Sequence, residues 1–280
     1  MLEREWRGQA EEILRERQGD VGLKPDLQLE LQLELRPELQ ADPPQPRYNL
    51  VVPRSACPKC GARISAAQNI PVVSYLLLNG KCASCGAKIS ARYPLVELGT
   101  AILSALVAWK FGFVWYTAAA LLLTWMLIAL SGIDIDHQLL PDNMTLPLVW
   151  LGLLLSLAPG SASLGLPVDP RSSIIGAAAG YLSLWSVYHA FRLLTGKEGM
   201  GYGDFKLFAA LGAWLGWQML LPIILMAAFA GAVIGILMIA VRGRDRNIPI
   251  PFGPYLAAAG WIALMWGEEL IASYLGFAGV

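Results

Sequence analysis

Charge is scarce in this sequence. Lys, Arg, Asp and Glu together make up 15% of the 280 residues, 21 basic against 21 acidic, so the formal net charge is zero. A neutral chain gives no electrostatic footprint for nucleic acid, and no nucleic-acid partner is expected. Cysteine is sparse too. The four present form two Cys-x-x-Cys pairs in a polar stretch, which reads as metal binding rather than a disulfide framework. The opening Met1-Leu-Glu-Arg-Glu-Trp-Arg7 has no apolar core. No secretory signal peptide is therefore expected, and later apolar helices are left to direct insertion. No Gly-rich nucleotide-binding loop is visible either.

Apolar residues are abundant instead, at 56% of the chain, and they are unevenly placed. Acids and bases crowd between Arg4 and Arg47, whereas beyond Tyr93 charges thin out and long apolar runs dominate. A soluble core does not need such runs. A bilayer does, because a hydrocarbon core of roughly 30 Å takes about 20 helical residues to cross. The expectation is an all-α polytopic membrane protein with about seven transmembrane helices and a small cytoplasmic, zinc-ribbon-like four-cysteine module. The apolar segments fall near 94–111, 114–133, 143–158, 173–194, 205–217, 219–241 and 254–276. The third and fifth are short, and the fifth contains Gly212 and Gly216, so either is expected to tilt, break or begin below the membrane surface.

Three regions follow from this reading. Residues 1–46 form a charged, low-complexity arm in which Leu27, Leu29, Leu31, Leu33 and Leu35 alternate with polar residues. That period of two suits a half-buried strand or a mobile repetitive arm. Residues 47–92 form the cysteine module, and residues 93–280 the transmembrane domain. The module carries Arg47, Arg54, Lys59, Arg63, Lys81, Lys88 and Arg92. Placing it in the cytoplasm also puts Arg192, Lys197, Lys206, Arg242, Arg244 and Arg246 on that side, against Lys110 and Arg171 opposite. The positive-inside rule selects this orientation.

Two acids then stand out. Asp134 closes the second span, in Ile133-Asp-Ile-Asp-His-Gln-Leu-Leu-Pro-Asp142. Asp204 opens the fifth, in Gly199-Met-Gly-Tyr-Gly-Asp204. Ionisable groups at membrane depth are costly and mark function. Two carboxylates on one side suit acid–base hydrolysis: one stays protonated while the other takes a proton from a water that attacks a peptide carbonyl. The pair should titrate as a unit. Gly201 and Gly203 offer a tight bend that delivers Asp204 to the head of a helix. The plainer alternative makes Asp204 a helix N-cap.

Asp136, His137 and Asp142 admit two readings. The Asp-x-Asp pair, with His137, suits a divalent metal, or all three are interfacial polar residues with Asp142 capping the next helix. His189 reads as a packing residue, and Glu97 as interfacial or site-lining. The Trp residues mostly lie near span ends, as interfacial belts do. Ile248-Pro-Ile-Pro-Phe-Gly-Pro254 is a rigid connector or a wall for an extended peptide. Cys57, Cys60, Cys82 and Cys85, each pair followed by a glycine, suit a closed four-thiolate zinc site that staples a module too small for its own core. Four reduced thiols without metal are the alternative.

Taken in order, these motifs resemble the type IV prepilin peptidases, bifunctional leader peptidase/N-methyltransferases. The resemblance spans about 47–279 and includes Cys57-Pro-Lys-Cys-Gly, Asn69-Ile-Pro-Val-Val-Ser-Tyr, Arg92-Tyr-Pro-Leu-Val-Glu97, the Asp134 and Asp204 motifs, and Ile250-Pro-Phe-Gly-Pro-Tyr-Leu256. It implies cleavage of type IV prepilins and type II secretion pseudopilins after a leader glycine, at the cytoplasmic face of a bacterial inner membrane. Methylation of the new N-terminus with S-adenosylmethionine would follow. The resemblance maps the catalytic aspartates onto Asp134 and Asp204 and the zinc ligands onto the four cysteines. The turn at Asp204 also looks like that of presenilin-type proteases. Family members usually begin with an apolar helix ahead of the charged stretch; here the sequence opens on that stretch, so seven spans are expected instead of eight. Rival readings are a proton- or cation-coupled transporter, whose buried acids bind the ion, and a non-catalytic assembly protein.

Overall fold

The computed structural model describes residues 55–65, 68, 70, 72–157, 168–196, 199–242 and 251–278. The N-terminal arm with its leucine alternation lies outside them, as do Arg47, Arg54, Lys197, Arg244, Arg246 and residues 248–250.

The described elements are helical. In chain order they are α1 (Val73–Leu77), α2 (Arg92–Phe111), α3 (Trp115–His137), α4 (Asp142–Ser156), α5 (Pro170–Thr195), α6 (Tyr202–Leu215), a 3-10 turn (Trp217–Met219), α7 (Leu220–Arg242) and α8 (Gly253–Ala278). Each apolar segment expected from sequence forms a helix within a few residues of its expected ends. Among the described residues the only β pairings are isolated bridges, Ala56 with Arg63 and Lys81 with Lys88. The described residues up to Asn69, with Cys82–Ala87, form one compact unit; Ile70–Lys81 and Lys88 onward form a second.

Among the described residues four helices are long and apolar enough to cross a membrane: α2, α3, α5 and the stretch Trp217–Met238. The chain is a multi-pass membrane protein. At 15 and 14 residues, α4 and α6 rise only about 22 and 21 Å, less than a full hydrocarbon core. Helix α8 is interrupted by non-helical backbone at Trp266. Apolar side chains on α2 and α7, among them Leu95, Ile102, Leu225, Phe229 and Ile236, are exposed, as lipid-facing surface requires.

The short helix α6 occupies the centre of the helical unit. Phe205, Leu207, Phe208 and Leu211 are completely or almost completely buried, and α6 is flanked by α4, α5 and α8. Its closest neighbour is α5, where backbones approach until a Cβ on Gly176 or Gly212 would collide with the other's carbonyl. Ser173 Oγ donates to Ala213 O at 2.6 Å across the same seam. Small residues and interhelical hydrogen bonds are what bind helices where lipid removes the hydrophobic drive. On the α4 side, Trp214 Nε1 donates to Leu148 O at 2.8 Å. Helix α6 is thus held firmly through its C-terminal half.

Trp109, Trp115 and Trp217 are exposed near helix ends, as interfacial anchors should be. Trp261 is different: its Nε1 donates to Thr124 Oγ1 at 3.2 Å and ties α8 to α3.

Candidate active site

Asp134 lies in the last turn of α3 and Asp204 in the first turn of α6. Their residual exposures are 5% and 6%, so neither is a solvated surface acid. Helix α3 stops soon after Asp134, where Gln138 adopts the left-handed conformation (φ 52°) and its N–H bonds Asp134 O. The following loop carries Leu140, which is buried.

Three segments converge around Leu140. A Cβ on Gly203 would sit 2.6 Å from Leu140 Cβ. A Cβ on Gly253, at the start of α8, would sit 3.2 Å from Leu140 Cδ1 and 2.7 Å from Asp134 Oδ2. In that contact the Gly253 N–H donates to Asp134 Oδ2 at 3.0 Å. Asp204 lies within Coulombic reach of Asp134, and the Gly201 amide faces its carboxylate. Its Oδ1 is buried and makes no hydrogen bond.

The N-cap alternative for Asp204 does not hold. Gly201 is the N-cap of α6, and Asp204 stands three residues inside, its N–H bonding Gly201 O at 3.2 Å. The role expected of the glycines also changes. Gly201 has φ −78°, and Gly203 is absent from the positive-φ positions of the described residues. Gly203 is required for space against Leu140, not for an unusual backbone angle.

The four cysteines come together as expected. All are free thiols, their Sγ atoms lie within 4.8 Å of one another, and Cys57 and Cys85 Sγ are 3.9 Å apart. A tetrahedron of metal–sulfur bonds of about 2.3 Å has edges of roughly 3.8 Å, so the group fits a tetrahedral ion. Two matching turns build it. Gly61 N–H bonds Cys57 O and Gly86 N–H bonds Cys82 O, both at 2.9 Å, with φ 68° at each glycine. The amides of Cys60 and then Lys59 hold the Cys57 thiol down at about 6. Those of Cys85 and then Ser84 lower that of Cys82. Both shifts favour the thiolate, the form that ligates metal, whereas at Cys60 the Ala62 amide is outweighed by hydrogen bonding to the neighbouring thiols, Cys85 foremost, which pushes that thiol up to about 11.

Comparison with known proteins shows the family. The type IV leader peptidase family matches residues 120–236, and the bacterial peptidase A24 N-terminal domain matches 37–111. A prepilin leader peptidase/N-methyltransferase of Pseudomonas aeruginosa is 53% identical over 279 residues, covering 100% of this chain and 86% of that protein. Those of Aeromonas salmonicida and Xanthomonas campestris pv. campestris are 57% and 49% identical over 239 residues. The alignments cover 84% and 85% of this chain and 80% of each relative. The chain belongs to the type IV leader peptidase family. No solved structure matches it.

Membership in the leader peptidase family leaves the transporter reading without support. Asp136 and Asp142 do not gather around a cation: among the described residues the cysteines form the one group of three or more potential ligands. Arg92 Nη1 instead donates to Asp136 Oδ1 at 2.5 Å, with Nη2 reaching Gly132 O at 3.3 Å. Lys206 Nζ donates to Asp142 Oδ1 at 2.5 Å. In the sequence Arg92 and Lys206 serve as topology signals and as ends of motifs that carry the resemblance, and nothing in their spacing names their partners. His189 is a packing residue, its ring 4.3 Å from that of Trp185 and 5.2 Å from that of Tyr188. Glu97 is exposed on α2.

Proposed function

We propose that Asp134 and Asp204 are the catalytic pair of this leader peptidase, cutting the leader from type IV prepilins and type II secretion pseudopilins. The observation that carries the reading is the convergence of two buried carboxylates from distant segments around Leu140 and Gly253. In this scheme one carboxylate accepts a proton from water as the water oxygen bonds to the scissile carbonyl carbon. The other, protonated, gives its proton to the carbonyl oxygen. Collapse of the tetrahedral intermediate returns a proton to the departing amine and breaks the C–N bond. Exclusion of bulk water strengthens each of these interactions.

Two further assignments accompany this reading. The ion suited to the four thiolates is zinc, with a structural role because no coordination position is left open. N-methylation of the new N-terminus with S-adenosylmethionine follows the names of the relatives, with no donor-binding residues assigned. By the distribution of Lys and Arg, residues 47–92 and both aspartates face the cytoplasm.

Two measurements test these assignments. Purified chain in detergent is given a model prepilin, and wild type is compared with Asp134→Asn and Asp204→Asn. Each substitution should reduce cleavage at least about a thousandfold; substantial turnover by either one rules out the pair. Elemental analysis should find about one zinc per chain, lost on Cys57→Ser. Full occupancy in that variant would rule out the four-thiolate site.

A further inference from the structure

Two ion pairs flank the aspartates in matching positions. Asp136 stands two residues after Asp134 and Lys206 two residues after Asp204. Each partner is on another element: Arg92 at the head of α2, and Asp142 at the head of α4. On an α-helix a step of two residues turns about 200°, so Asp136 and Lys206 grip the side of the helix away from the carboxylate they follow. The links run in series. Arg92 holds the end of α3, residues 138–141 lead from there to α4, and Asp142 at the head of α4 holds Lys206 on α6. Leu140, in the middle of this strap, is the side chain seated against Gly203 and beside Gly253.

We propose that the Arg92–Asp136 and Lys206–Asp142 ion pairs are positioning devices that fix the separation of the Asp134 and Asp204 carboxylates. The proposal rests on the reading of those aspartates as the catalytic pair. Stability is a poor reason for these pairs to exist, because the side chains are mostly well exposed: 50% and 41% for Arg92 and Asp136, 22% and 58% for Lys206 and Asp142. Pairs in such surroundings stabilise little. Geometry is the better reason. The two carboxylates sit on different helices, each at a terminus, where fraying is easiest, and a displacement of about 1 Å in a catalytic constellation costs on the order of a hundredfold in rate. Each pair pins one of those termini to a neighbour.

The experiment uses the full chain in detergent and a model prepilin, with Asp136→Asn, Asp142→Asn, Lys206→Met and the double swap Asp142→Lys/Lys206→Asp. Each single change should lower kcat about ten- to a hundredfold while KM stays within about twofold and the unfolding temperature barely moves. The swap should restore at least about a third of wild-type kcat, since it rebuilds the pair with reversed sign. The proposal is overturned by unchanged kcat in the singles, by a rise in KM alone, which would mean substrate contact, or by a well-folded swap no better than the singles. Asp134→Asn and Asp204→Asn run alongside. If either one cleaves normally, the catalytic reading falls, whatever the ion-pair variants do. A readout without turnover accompanies them: infrared titration of the carboxyl stretch. The two macroscopic proton-binding steps of the pair, one of them missing in Asp134→Asn, should draw together in Lys206→Met as the carboxylates separate. Unchanged spacing of those steps counts against the proposal even if no variant turns over.

Discussion

The glycines of the cysteine turns and those around the aspartates differ in physical cause, and the difference predicts different responses to one added methyl group. Gly61 and Gly86 hold φ 68° with open space around them, so alanine there strains the backbone. Gly203 and Gly253 have no such requirement. A methyl on Gly203 meets Leu140 Cβ, and one on Gly253 meets the Asp134 carboxylate itself. On the proposed catalytic role of Asp134, Gly253→Ala should lower kcat for leader cleavage by about a hundredfold or more, because it displaces that carboxylate and the amide that holds it. Gly203→Ala should lose activity through Leu140, and the double variant with Leu140→Ala should regain part of it by making room. Steady-state cleavage of a model prepilin measures both. A Gly203→Ala enzyme of wild-type rate would show that the contact is slack. The sequence made the aspartates legible, since two acids at the ends of apolar runs on one side have few other uses. It made the glycines visible but for another reason, because spacing shows that a glycine is present and not what lies opposite it. The partners Leu140 and Gly253 come from other segments of the chain, and only the fold brings them near.

At the scale of elements, the apolar runs were readable because lipid imposes one rule on every span: the backbone must satisfy itself, and a helix does so. The helix α5 shows how far local signals reach. Asp169 caps it by accepting from Ser172 N–H at 3.1 Å, Pro170 follows, and Gly196 (φ 69°) ends it, all standard start and stop chemistry. Helix α6 shows where they stop. Its length and its Gly212 and Gly216 suggested a broken or tilted segment. Gly216, at φ 83°, does end the helix, but Gly212 is the close-approach point with Gly176. A glycine inside an apolar run reads as weakness in sequence and serves as a seam in the structure. The shortest of the seven apolar helices is consequently the most buried, and it bears Asp204 at its free end. The centre of this fold is set by which helices can approach most closely, a property of pairs of segments that single-segment periodicity does not encode.

At the scale of the whole helical unit, charge is sorted between two ends. Helix α2 begins at Arg92 and ends beside Lys110. The Arg92–Asp136 pair ties its start to the end of α3, while Lys110 bonds Glu269 on α8 at 3.0 Å. Asp134, Asp142, Asp204, Lys206 and Gly253 belong to the first end through the contacts around Leu140 and the Lys206–Asp142 pair. Asp169 and Arg171 open α5, whose far end returns the chain towards Asp204. The excess of Lys and Arg accompanies the aspartate end, so the positive-inside rule makes a definite forecast. Alkaline phosphatase, active only outside the cytoplasm, should work when fused at 112–114 or within 158–167. Green fluorescent protein, which matures inside, should fluoresce when fused at 196–199 or within 243–250. The reverse pattern would put the aspartates on the outer face and so require the substrate's leader to cross the bilayer before cleavage. Neutralising Arg192, Arg242, Arg244 and Arg246 together should blur the pattern, because orientation follows the summed positive charge of short loops, whereas removing Asp136 or Asp142 should leave it intact, since acids carry little weight in that rule.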